Sequence, residues 1–283
     1  MYDENSFYLT LPSDAGMDKF SDNNSACWTT KLRKPVCLRG KWEVCLSELH
    51  YMQSMYTLAS DQMMYLHYVA DAMAGAATIV VPAGIYTSSK KLIQCISEQI
   101  PNLEPFKLDL NATTFLKAFR MELQPDRRVC ISFPSARVKL YFDKDSTALQ
   151  TMLGFDMDQD KFIPTIEEKI QYAFRDFDSF PIKRVGRRLI NLRVGLQSLY
   201  VFCNVADYGP VGDSLSQILR TVPIRGGPMD VVTERFDIGH YVPLLLTTFE
   251  NIRIELANDL GELAKFHAGK SMVKLHFRRY KPY

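Results

Sequence analysis

No apolar run in this 283-residue chain approaches the roughly 20 residues that a membrane-spanning helix needs. The opening Met1-Tyr2-Asp3-Glu4-Asn5 puts no basic residue ahead of an apolar segment, so no secretory signal is expected. An excess of one charge is missing too. Lys and Arg number 34 against 32 Asp and Glu, a formal net charge of +2, which argues against a dedicated nucleic-acid binder. Cysteine is sparse and scattered: Cys27, Cys37, Cys45, Cys95, Cys130 and Cys203 form no Cys-x-x-Cys pair. In a long chain where no leader is expected, free thiols buried in a core are the state this pattern favours, and with them a reducing, intracellular site of synthesis. There is no internal repeat and no low-complexity tract.

Chemistry is equally thin. No Gly-x-Ser-x-Gly elbow is present, and no cysteine stands in a protease-like context. The five histidines (His50, His67, His240, His267, His276) are dispersed and never form the His-x-x-x-His pair that puts two imidazoles on one helical face. Gly269-Lys270-Ser271 has the ending of a phosphate-binding loop, but its first glycine is replaced by Ala264 and the following residues alternate as a strand, so a turn is the better reading. Asp156, Asp158 and Asp160 imitate a calcium loop without its central glycine. The carboxylates of Glu167 and Glu168 sit in equally polar surroundings, whereas acid–base catalysis needs two different ones. These absences point away from an enzyme, and from any cofactor or metal.

What the chain does have is strand-like texture. Aromatics make up 12% of it, and flat rings pack well on a pleated surface. Phe7-Tyr8-Leu9-Thr10-Leu11 reads as a strand ending at Pro12, followed after a polar loop by a second strand from Cys27. In a third, Trp42, Val44 and Leu46 share one face until the alternation breaks at Ser47-Glu48 and resumes with Leu49 and Tyr51. A β-bulge or the strand's end explains that break equally well. From about Gly75 to Asp178 the pattern is α+β. Ile79-Val80-Val81 reads as a short buried strand closed by Pro82. Thr87 or Ser88 caps a helix carrying Leu92, Ile96 and Ile100, which Pro101 stops. Two strands follow, Val129–Phe133 and Val138–Phe142. Asp145 or Ser146 then caps a short helix that ends at Gly154-Phe155.

Beyond Leu189 the chain returns to β. Leu199-Tyr200-Val201-Phe202-Cys203 is apolar on both faces, which suggests a central strand covered on both sides. Turns are expected at Val211–Ser214 and Arg225–Pro228. In the last two strands Ile252, Ile254 and Leu256, then Val273, Leu275 and Phe277, alternate with polar residues. Strands, an insert, then strands again predict a mainly β chain: a jelly-roll β-sandwich with an α+β insertion domain. Residues 1–74 and 179–283 supply the sandwich and 75–178 the insert. The densest basic run is Lys183, Arg184, Arg187 and Arg188, continued by Arg193, and a second cluster includes Arg278 and Arg279. Such runs are ordinarily solvated faces. Their functional reading is contact with an acidic neighbouring subunit or, without sequence specificity because no aromatics are interleaved for base stacking, with nucleic acid.

Several segments together resemble a known family. Phe7–Ser13, Trp28–Leu32 and Leu38–Glu48 are similar to the start of the minor capsid (penton) proteins of Polinton/Maverick elements and the related adintoviruses. Pro82–Ser88, Leu153-Gly154-Phe155, Leu199–Cys203, Val211–Ser214, Thr248–Glu255, Asp259-Leu260-Gly261 and Leu275–Arg279 continue the likeness in the same order. The resemblance implies a jelly-roll base and homopentamers at the fivefold vertices of an icosahedral virion, among trimeric double-jelly-roll major capsid protein capsomers. It brings no catalytic residue with it. The alternatives are a jelly-roll ligand- or receptor-binding module, with Tyr86, Phe115 and Phe119 of the insert around a cleft, or a major capsid protein of a related shell.

Overall fold

A computed structural model of the chain describes residues 5–70, 73–99, 120–133, 138–143, 145–155 and 182–280. The chain begins with β1 (Ser6–Pro12), β2 (Cys27–Cys37) and β3 (Trp42–Met52). Next come β4 (Gln62–Ala70), β5 (Met73–Val81), helix α1 (Ser89–Gln99), β6 (Arg120–Leu123), β7 (Val129–Phe133), β8 (Val138–Phe142), helix α2 (Thr147–Met152) and β9 (Ile182–Val185). The last group is β10 (Ser198–Cys203), β11 (Gly209–Val211), β12 (Ser214–Ser216), β13 (Ile218–Pro223), β14 (Val231–Arg235), β15 (Val242–Pro243), β16 (Thr248–Ala257) and β17 (Met272–Arg279). The chain divides into two compact units, Met1–Met55 with Gly195–Tyr283, and Tyr56–Val194. The span 75–178 lies inside the second unit, which also takes in β4, paired with β5 and β8, and β9, paired with β7, so residues 56–74 and 179–194 belong to it and not to the sandwich.

The first unit is a jelly roll, identified by its strand order. One sheet runs β1-β17-β3-β14, with β15 also on β3, and the other runs β13-β10-β16-β2, every pairing antiparallel. Leaving aside β15 and the small β11–β12 hairpin, the first sheet uses the first, last, third and sixth of eight strands. The second sheet uses the fifth, fourth, seventh and second. That interleaving is the double Greek key of a jelly roll. It pairs the two ends of the chain directly, with Leu9 opposite Leu275 and Tyr8 opposite His276.

Alternation explains what fills the interior. Val44, Leu46, Leu49, Tyr51, Val273, Leu275 and Phe277 face inward from one sheet, and Trp28, Leu199, Val201, Ile252, Ile254 and Leu256 from the other, all essentially inaccessible to solvent. The break after Leu46 is a bulge. On β17 Lys274 pairs with Glu48 and Leu275 with Leu46, so Ser47 is the extra residue and the strand runs on to Met52. Without it, Leu49 and Tyr51 would turn to the outside. Prolines respect the ladder: Pro12, Pro35 and Pro223 fall on β1, β2 and β13, all at sheet edges, where a missing N–H costs no pairing and discourages strand addition. The central position of β10 is as read from the sequence, but its cover is not. Leu199, Val201 and Cys203 are buried, while Tyr200 and Phe202 on the other face are only half-buried.

In the second unit two three-stranded sheets, β5-β4-β8 and β6-β7-β9, share a core with both helices. Met64, Leu66, Ile79, Leu92, Ile96, Ile131, Leu140, Phe142, Leu149 and Phe155 are among its buried members. β5 starts at Met73, well before the Ile79–Val81 run, and Val80 is exposed between buried Ile79 and Val81. Ser88 caps α1, its hydroxyl accepting from the Lys91 N–H at 3.3 Å. Ser146 precedes α2 but makes no cap bond, because its hydroxyl instead accepts the Met63 N–H at 2.7 Å. Gly154 ends that helix at φ +84°, with the Phe155 N–H reaching the Gln150 carbonyl at 3.1 Å and the Phe155 ring buried. A Cβ at Gly154 would stand 2.2 Å from the Arg188 carbonyl oxygen, so only glycine fits. Ile100 and the Asp156–Asp160 acids lie outside the described residues.

Candidate assembly surfaces

The outer face of the β1-β17-β3-β14 sheet is crowded with polar pairs. Arg278 Nε lies 3.0 Å from Glu43 Oε2, and its guanidinium stacks 3.3 Å over the Tyr241 ring. Lys274 Nζ is 3.2 Å from Glu48, whose other oxygen meets His50 Nε2 at 3.2 Å. These two partners hold the Glu48 carboxyl below its usual range. Next to them Tyr8 stacks on His276 at 4.3 Å, and the Tyr241 hydroxyl sits 2.7 Å from His276 Nδ1, placed to donate to the neutral ring. Burial, and then the charge of Arg278, push the His276 imidazole below its ordinary value. The loop from Phe236 to Tyr241 lies along this face and covers Cys45, whose thiol burial pushes up.

The six thiols are all free: Cys45, Cys130 and Cys203 are buried, Cys27 and Cys95 partly so, and Cys37 is exposed. Burial pushes Cys203 up to about 12, so it packs as a small apolar group, not as a nucleophile. Among the described residues no group of three His, Cys, Asp or Glu side chains could hold a metal ion.

The basic residues singled out from the sequence divide between the units. Lys183 and Arg184 are on β9, opposite Ser132 and Ile131, and Arg187, Arg188 and Arg193 follow in the same unit. Lys183, Arg187, Arg188 and Arg193 are exposed, Arg184 half so, and each of the four arginines has an interaction partner within the chain. Arg278 and Arg279 belong to the jelly roll. Arg278 is engaged by Glu43 and Tyr241, while Arg279 is exposed beside Gly40. Tyr86 is half-buried, with its hydroxyl donating to the Pro82 carbonyl at 2.9 Å; Phe115 and Phe119 lie outside the described residues.

Two features of the jelly roll escape a reading of the sequence. A concavity of about 410 Å³ lies on the outer face of the second sheet, over β10 and β16, between the β11–β12 hairpin and the loop through Gly261 and Leu263. Phe202 forms part of its wall, beside the Arg253–Glu255 ion pair at 2.7 Å, and Tyr208, Leu215 and Leu263 are exposed around it. Elsewhere Ile238 projects from the loop over Cys45 with 76% of its surface exposed. The one signal for it is an apolar residue set between Asp237 and Gly239, where turn chemistry calls for polar ones.

No protein-family model matches the chain, and no curated protein matches its sequence. Among solved structures it is similar to the mavirus penton protein, at a TM-score of 0.48 and 10% identity, over 97% of this chain and 99% of that one. It is also similar to a chain of the Sputnik virophage, seen by cryo-EM, at 0.43 and 9%, over 97% and 98% of the two. The jelly roll itself is identified by the strand order, not by these likenesses.

Proposed function

We propose that this chain is a structural capsid protein of the vertex (penton) kind, built to assemble with copies of itself and with the capsomers of a virion's faces, and without a catalytic role. The strand order carries the reading. In a double-sheet jelly roll whose centre is filled by Trp28, Tyr51 and Phe277, the outer faces are the surfaces offered to partners. Sheet edges carrying prolines restrain strand addition, while exposed apolar side chains and ordered ion pairs on the outer faces suit packing against flat neighbours. The resemblance of Phe7–Ser13, Leu38–Glu48 and Leu275–Arg279 to penton proteins supports the same role and favours a ring of five. Copies related by one head-to-tail contact close into such a ring. Native mass measurement on the purified chain tests this. Five copies are expected, and a chain that stays monomeric at tens of micromolar contradicts it.

Within that role the exposed run of Lys183, Arg187, Arg188 and Arg193, with the partly covered Arg184, is a contact for acidic capsomer surfaces or packaged DNA, and Arg279 is a second. Reversing Arg187 and Arg188 to glutamate lowers particle yield or genome content if this holds. Unchanged particles remove the assignment.

A further inference from the structure

We infer that the basic edge formed by Arg33, Lys34, Arg39, Lys41 and Arg279 binds the phosphate backbone of nucleic acid without reading its sequence. This rests on the capsid reading above, which makes the nucleic acid a packaged genome.

The sequence supplies the charge and the fold gathers it. No carboxylate occurs from Asn23 to Trp42, a stretch that holds five Lys and Arg. On β2, Lys31 pairs with Asn251 and Val36 with Phe249, so five steps along β2 face two along β16. The surplus leaves the ladder as a wide bulge on an edge strand and carries Arg33 and Lys34 into solvent. β2 then resumes, and the chain turns at Gly40, with φ at +86°, into β3. Arg39 and Lys41 flank that turn, and Arg279, opposite Trp42 on β17, lies beside Gly40. All five residues are exposed. The backbone from Lys34 to Arg39 spans at most about 18 Å, over which a duplex presents about ten phosphates.

Pairing sets this edge apart from the rest of its unit. Residues 1–55 and 195–283 carry 16 Lys and Arg against 16 Asp and Glu, so the unit as a whole is balanced. Lys31, Arg225, Arg253, Lys270, Lys274 and Arg278 each meet a carboxylate at 2.7 to 3.6 Å. None of the five cations on this edge forms an ion pair among the described residues. An unneutralised cluster on a balanced body attracts an external anion.

The same segment selects a polyphosphate over an acidic protein. Leu32, Val36, Leu38 and Trp42 pack back on the jelly-roll core, so its exposed positions offer cations, Pro35, Cys37 and Gly40. Protein interfaces are built around apolar anchors and are poor in lysine, whereas nucleic-acid interfaces are more polar and far more positive. Contacts of this kind hold phosphates and carry no base information.

The test follows binding of the full chain to a mixed-sequence DNA duplex of about 30 base pairs by fluorescence anisotropy across a salt series. Arg33→Gln with Lys34→Gln is expected to make the log–log salt slope shallower by about 1.8, and adding Arg39→Gln and Lys41→Gln by about 3.6 in all. Circular dichroism checks folding, and native mass counts copies in every case. Should the four-site variant fail to fold, the two-site variant carries the test. Arg33→Lys with Lys34→Arg keeps the charge and is expected to keep the slope. Slopes that the glutamine variants leave unchanged overturn the inference, as does a wild-type chain that binds no duplex at low salt. So does polyglutamate that displaces the duplex at equal charge concentration, which assigns the edge to an acidic protein. In all three cases five copies by native mass leave the vertex reading standing. A chain that binds with the expected slopes yet stays monomeric upholds the edge and overturns the vertex reading.

Discussion

The two units of this chain are held together at different distances along the sequence. In the jelly roll, β1 pairs with β17 and β2 with β16, so its first and last strands meet across nearly the whole polypeptide. In the inserted unit β4 and β5 form an adjacent hairpin, and β6 pairs with β7 a few residues on. Non-local pairing must meet the entropy of closing long loops before any contact rewards it, whereas local pairing meets almost none. The β4–β5 and β6–β7 hairpins are therefore expected to form early, and the jelly roll to be complete only when the C-terminal strands join.

The sharpest way to break this contrast is a deletion in one core that spares the other. Phe277 is fully buried, stacked on Phe7 at 4.8 Å and 5.7 Å from Phe249, all three in the jelly roll. Phe277→Ala is expected to lower that unit's stability by about 3–5 kcal/mol. In denaturant unfolding followed by hydrogen exchange, the transition of the 56–194 unit stays in place. A single transition that shifts as a whole would show that the units unfold as one.

How much of this was legible in the sequence follows the same division. The jelly-roll strands announce themselves because one face is core and the other is wet, so Ile252, Ile254 and Leu256 alternate with polar residues, as do Val273, Leu275 and Phe277. β4 hides because exposed Met63 and half-buried Tyr65 alternate with buried Met64 and Leu66, so apolar residues occupy both faces and neither declares itself. Ser47 left a bulge and a strand end equally open, and only the partner strand decides between them. Ser146 has the chemistry of a helix cap but spends its hydroxyl on Met63, 83 residues away. The concavity beside Phe202 is assembled from β10, β12 and β16, and the loop carrying exposed Ile238 is held by Arg220 on β13. Surfaces made by convergence leave no local pattern to read.

A smaller effect, confined to the insert, is expected at Gly154. With φ at +84° and the Arg188 carbonyl in the way, Gly154→Ala costs about 1–3 kcal/mol in the inserted unit. Thermal unfolding should show the jelly-roll transition unmoved.

The smallest effect is a pH dependence that belongs to the jelly roll alone. The folded His276 binds its proton more weakly than the unfolded chain does, which takes it up near the ordinary value of about 6.5. Below that value the unfolded state holds more protons, so stability falls as the pH drops, until the lower folded value is passed. His276→Gln should flatten the acid side of the jelly roll's stability curve between neutral pH and that lower value. An unchanged slope assigns it to other groups.

The most direct test of the account is hydrogen exchange by mass spectrometry on the intact chain. The amides of residues 7–11 and 273–277 are predicted to exchange as one cooperative set, at the same free energy as β3 and β16, and separately from residues 63–66 and 140–142. Ends that exchange at different levels from each other, or together with the inserted unit, would contradict a single jelly roll closed by both termini of the chain.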